Sequence, residues 1–163
     1  MTIHGSCLCG SVRFEIDRVT GPFETCHCNR CRKVTGAAGL PAITVLNTDY
    51  RMTAGRDTVT SYTAPILYQP PAYRAFFCSR CGSPVPPPDP EGETLEVPAG
   101  LLDDDPGTRP DRHIFVEFVP PWDRITDGLP CFTIAELVRE RTGKALPPGF
   151  TLRSHYDIPG PDE

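Results

Sequence analysis

Hydrophobic and polar positions alternate in short stretches along the chain, with turn-forming residues between them. In residues 11–17, Val12, Phe14 and Ile16 alternate with Arg13, Glu15 and Asp17. A period of two puts one set on each face of an extended backbone, which predicts a half-buried strand. Further β-rich runs lie at 41–47, 57–63, 72–77, 94–99 and 113–119, punctuated by Gly, Pro and Asp. One stretch reads as a helix. Thr133 and Glu136 make a capping box, Ile134, Leu137 and Val138 give one apolar face, and Gly143 supplies the stop. The residues after Gly143 read as an irregular tail, and 85–92 as a proline-rich loop. The pattern predicts a mainly β domain over 1–132, followed at 133–163 by a C-terminal helix and tail.

Composition strengthens this reading. The chain has 163 residues and 20 prolines, more than twice the usual share, which disfavours long helices. No apolar run approaches the roughly 20 residues of a membrane span. The opening "MTIHGSCLCG" lacks the basic start and apolar stretch of a signal peptide. A cytoplasmic, reducing setting is therefore expected, where eight cysteines point to metal rather than disulfides. The formal charge of -5 argues against a nucleic-acid surface. Seven ligating thiolates and two Zn²⁺ ions would take it to about -8.

The cysteines fall into three clusters and one outlier. Cys7-x-Cys9-Gly10 opens the chain, Cys26-x-Cys28-x-x-Cys31 follows, Cys78-x-x-Cys81-Gly82 comes late, and Cys131 stands alone. These related knuckles are the only internal repetition in the sequence. A glycine after the last cysteine of a knuckle lets the chain turn with positive φ beneath a metal. Backbone N–H groups then face the thiolates. Two knuckles share that feature, so Cys7, Cys9, Cys78 and Cys81 are read as a closed structural zinc site. The trio Cys26, Cys28 and Cys31 has three ligands, the pattern of a catalytic zinc whose fourth position takes a substrate. Cys131 or His27 is the alternative occupant of that position. In extended backbone His27 points away from its neighbours, and Cys131 is expected to be a buried free thiol.

The stretches "GSCLCGSVRFEI", "CHCNRCRKVTGAAG", "FFCSRCGSPV", "AGLLDDDP" and "HIFVEFVPPWDRITDGLP" occur in that order. Together they resemble the signature of the glutathione-dependent formaldehyde-activating enzyme family, which includes the centromere protein V domain. The resemblance covers about residues 5–132. It implies the zinc-bearing β-tent fold of Mss4-like proteins and the same partition of the cysteines between two zinc ions. It also implies carbon–sulfur lyase activity, the reversible joining of glutathione and formaldehyde into S-hydroxymethylglutathione. The implied partners are a small thiol and an aldehyde; the acidic charge and the lack of a long apolar run add the expectation of no nucleic acid and no membrane.

Other residues carry weaker signals. Arg30, Arg32 and Lys33 flank the trio, where they offset its charge, hold substrate carboxylates, or form a solvated basic loop. Trp122 reads as a packing residue, and Asp103, Asp104 and Asp105 as a solvated turn before Pro106. His113, at the head of an apolar run, reads as a satisfied core residue. Two rival functions stand beside the lyase. One is a zinc-stabilised module that binds a protein partner; the other is a thiol redox enzyme using Cys131.

Overall fold

The computed structural model describes residues 2–64 and 72–150. In chain order the regular elements are β1 (Ile3–Ser6), β2 (Arg13–Ile16), β3 (Phe23–Cys26), α1 (Asn29–Thr35), β4 (Leu40–Leu46) and β5 (Tyr50–Ala54). There follow β6 (Val59–Thr63), β7 (Arg74–Cys78), β8 (Thr94–Pro98), β9 (Arg112–Ile114), β10 (Cys131–Phe132) and α2 (Ile134–Thr142). Ten strands and two helices among the described residues make the chain mainly β with a C-terminal helix, as the alternation predicts.

The strands form three sheets. One has the order β1-β2-β5, one the order β10-β9-β3-β4-β8, and β6 pairs with β7 alone. Neighbours are antiparallel except β3 with β9 and β9 with β10. The parallel pairs mean that β9 arrives from far along the chain, joining residues about 90 positions apart to the strand that carries Cys26. Val12, Phe14, Ile16, Ile43, Val45 and Val97 are essentially inaccessible to water and form the centre of the main core. Each such side chain stabilises the fold by about 1.5–3 kcal/mol relative to exposure. A second, smaller cluster joins Cys28, Cys31 and Phe118, with Cys26, Leu40 and Phe115 around it.

Two expectations change in detail. The run 113–119 does not continue as a strand: β9 stops at Ile114, Phe115 turns left-handed at φ 58°, and Val116–Phe118 form a single 3₁₀ turn. That turn buries Phe118 on the cysteine trio, so tertiary packing overrides the β-branched pattern there. Residues 57–63 begin as strand only at Val59, after a 3₁₀ turn at Arg56–Thr58. The helix expected after Thr133 is present with both halves of its capping box, and Gly143 ends it at φ 70°. Of the expected tail, 151–163 lie outside the described residues. No described helix is long and apolar enough to cross a membrane.

Candidate metal centres and active site

The first sulfur group is built by two matching turns. Cys7 follows β1 directly, and Gly10, at φ 71°, bends the chain back so that its N–H donates to the Cys7 carbonyl at 2.8 Å. Cys78 ends β7, and Gly82, at φ 75°, donates to the Cys78 carbonyl at 2.8 Å. The Val12 N–H points at Cys7 Sγ from 3.3 Å. Cys7, Cys9, Cys78 and Cys81 then meet with all four sulfurs within 4.8 Å of one another.

Ser11 and Ser83 belong to this site, although their role does not follow from cysteine spacing. Cys9 Sγ lies 3.3 Å from Ser11 Oγ and Cys81 Sγ 3.4 Å from Ser83 Oγ. The hydroxyls and backbone N–H groups of these serines favour thiolates, lowering the Cys9 pKa and taking Cys81 down to about 5. Ser83 Oγ also accepts the Leu8 N–H at 3.1 Å, joining the two knuckles. The repeated tripeptide Cys-Gly-Ser is the sequence signal for both serines.

The second group is the trio. Cys26 ends β3, Cys28 is the N-cap of α1, and Cys31 lies in the first turn of that helix. Strand end, cap and first turn bring the three sulfurs within 4.8 Å. The segment is therefore the junction of a strand and a short helix. Cys28 and Cys31 are buried and Cys26 half-buried. Hydrogen bonds from the thiols of Cys26 and Cys31 depress the Cys28 pKa, helped by the Cys31 N–H and the Arg30 charge. Cys26 rises in turn, because its proton is held by Cys28. Cys31 also rises, as the Cys28 thiolate and burial outweigh its hydrogen bond with Cys26.

Both groups fit a tetrahedral thiophilic ion. Zn–S bonds near 2.3 Å place tetrahedral sulfurs about 3.8 Å apart. Cys7 and Cys9 are 3.6 Å apart, and Cys9 and Cys78 3.9 Å. The four-sulfur group can close a coordination shell by itself, whereas the trio supplies three of four ligands.

His27 and Cys131 are not members of the trio. The His27 ring turns to Ala38 O at 3.0 Å and to His113 Nδ1 at 2.8 Å. A carbonyl only accepts, so His27 Nδ1 carries a proton. His113 is buried and continues to Asp127 Oδ2 at 2.8 Å, which makes it the satisfied core residue its sequence suggests. Burial lowers the His27 pKa, while the neighbouring imidazole holds Asp127 below the usual carboxylate range. Cys131, expected to be buried, is exposed on β10 at the edge of its sheet, with Sγ 3.5 Å from Leu129 O.

The flanking residues also find definite places. Arg30 stacks over the Tyr73 ring at 5.1 Å, and Arg32 donates to the Phe118 carbonyl at 2.7 Å. Lys33 is exposed. Trp122 is not a packing residue. It is 71% exposed, in a turn closed by the Asp123 N–H on Pro120 O. The aspartate run is more engaged than a solvated turn. Asp103 and Asp104 bind Ser6 and His4 of β1, and Asp105 pairs with Arg109.

The sequence matches the family described as glutathione-dependent formaldehyde-activating enzyme over residues 2–118. The chain belongs to this family. It is also 33% identical to a Halomonas elongata protein, over 83% of this chain and 94% of that one. That relative's name provisionally gives it as a glutathione-dependent formaldehyde-activating enzyme. A crystal structure of a Rhodobacter sphaeroides protein is similar at TM-score 0.48 and 22% identity, covering 80% of this chain and 99% of that one.

Proposed function

We propose that the protein is a carbon–sulfur lyase that activates a small thiol such as glutathione for reversible addition to formaldehyde or a related aldehyde. The observation that carries this reading is the largely buried group of three sulfurs, in a chain whose family is named for that chemistry. The four-sulfur group takes a structural Zn²⁺ and the trio a second one. Cys26, Cys28 and Cys31 would hold that ion by three ligands, and when bound it would favour the thiolate form of a thiol taking the remaining position.

The chain's own residues prepare this site. Leu40, Phe115 and Phe118 pack around the trio and limit water on that side. Arg30 offsets part of the negative charge of the sulfurs, as its effect on Cys28 indicates. Three protein thiolates on one divalent ion give a net charge of about -1, which favours a sulfur nucleophile over hydroxide formation. In the addition, the thiolate sulfur bonds to the aldehyde carbon while the carbon–oxygen π pair moves to oxygen. The oxygen takes a proton from water, which the proton released earlier by the thiol replaces, so the S-hydroxymethyl adduct forms with no net proton change; the reverse steps release thiol and aldehyde.

The test is to mix glutathione and formaldehyde with zinc-loaded protein and follow exchange between free and adduct signals by NMR. Wild type is expected to accelerate the exchange and Cys28→Ser to return it to the uncatalysed rate. Equal rates with and without wild-type protein would refute the lyase.

A further inference from the structure

The sheet face that carries Cys26 also carries charge. Cys26 and Glu24 are two residues apart in β3 and so share a face. The register places Ala42 and Arg112 opposite Glu24, and Glu96 opposite Thr44. A cavity of about 660 Å³ opens there, with Thr44, Glu96, Arg112, Glu140 and Arg141 in its wall.

The charges in this wall are unevenly committed. Glu24 is buried and holds Arg112 Nε at 2.7 Å and Arg141 Nη2 at 2.6 Å. Arg112 also pairs with Glu140 at 2.9 Å, so its guanidinium is occupied. Arg141 is 44% exposed and has Glu24 as its one ion-pair partner among the described residues. Its remaining N–H groups can form a fork for a carboxylate. Glu96 has no hydrogen-bond or ion-pair partner among the described residues. It is accessible to solvent yet surrounded by protein, the combination a cavity wall produces. Burial raises its pKa, the Glu24 carboxylate adds to the rise, and an arriving cation would relieve both.

Glu96 also stands in the wall of a second cavity, of about 170 Å³, with Leu40, Tyr73 and Phe76. This smaller space adjoins the trio. Leu40 packs on the trio, and Arg30, which lies between Cys28 and Cys31 in the chain, stacks over the Tyr73 ring at 5.1 Å. The order is therefore sulfur trio, small apolar cavity, Glu96, polar cavity.

We propose that the polar cavity binds the α-amino-acid head of the thiol substrate, its carboxylate on Arg141 and its ammonium on Glu96. The sulfur end reaches the trio through the smaller cavity. The γ-glutamyl end of glutathione has this chemistry. The inference rests on the thiol-activating reading and adds to it the group that selects the thiol. Arg141 and Glu140 lie on α2, beyond residue 118 where the family match ends, whereas Glu96 lies on β8 within it.

The experiment uses S-methylglutathione, whose blocked sulfur leaves the head as the main recognition element, titrated into zinc-loaded protein by calorimetry. Saturable binding is expected, weakened at least tenfold in Glu96→Gln and in Arg141→Gln. The N-acetyl derivative should bind wild type at least tenfold more weakly and be indifferent to Glu96→Gln. Glu96→Gln is the deciding variant, because Glu96 holds nothing in the fold, whereas Arg141→Gln also releases Glu24. Absence of S-methylglutathione binding to wild type, or unchanged binding in Glu96→Gln, overturns the proposal. A parallel titration of cobalt-substituted protein with 2-mercaptoethanol, a thiol without the head, tests the trio separately. Glu96-dependent binding of S-methylglutathione with no mercaptoethanol response supports the head site and contradicts thiol activation. The opposite pair of results does the reverse.

Discussion

A single Cys→Ser substitution removes something different from each sulfur group. Cys78 is fully buried and belongs to the group that joins the β1–β2 turn to the end of β7, some 70 residues later. A structural zinc at this group, as proposed, would contribute on the order of 10 kcal/mol to folding. Cys78→Ser is therefore expected to lose soluble, folded protein. Cys28 caps a helix of seven residues and belongs to a group confined to residues 26–31. Cys28→Ser should keep the fold, with circular dichroism like wild type, while the second metal is lost. Equal loss of folded protein in both variants would make the trio structural. Cysteine spacing and the glycines after Cys9 and Cys81 made the two groups readable at this scale. The imidazole pair was not readable, since His27 and His113 are 86 positions apart and meet only through the parallel pairing of β3 with β9.

At the scale of elements, α2 is held by local chemistry that the sequence displays. Thr133 Oγ1 accepts the Glu136 N–H, and the Glu136 carboxylate accepts the Thr133 N–H at 2.8 Å. Glu117 Oε1 adds a third contact by accepting the Ile134 N–H at 2.8 Å. Thr133→Ala should cost about 1 kcal/mol, the usual value for a lost N-cap. Hydrogen exchange should show the effect as roughly fivefold faster exchange confined to Ile134–Thr142; unchanged protection there would mean that tertiary contacts alone hold α2. Short elements escaped the sequence for physical reasons. α1 has only seven residues, and its first turn is occupied by cysteines and by the buried, polar Asn29 rather than an apolar stripe. β9 ends early because Phe115 adopts a left-handed conformation that no β-propensity anticipates.

For the whole molecule, the account requires two metal ions per chain. Protein purified without added metal and then reconstituted with Zn²⁺ should contain close to two by elemental analysis, and a ceiling of one would exclude the two-site arrangement. The mainly β architecture and the C-terminal helix were legible because alternation and capping are local patterns. The sheet order was not, because it depends on β9 inserting beside β3.

Thiol activation requires that a metal held by the trio leave its fourth coordination position to an external thiolate. Cobalt replacing zinc reports this directly, since each thiolate ligand adds to the ligand-to-metal charge-transfer absorption. Titration with glutathione at neutral pH is predicted to raise that band saturably in wild type and in Cys131→Ala, and not in Cys28→Ser. A response in Cys131→Ala alone would show that Cys131 holds the position, and no response in either would contradict thiol activation at this site.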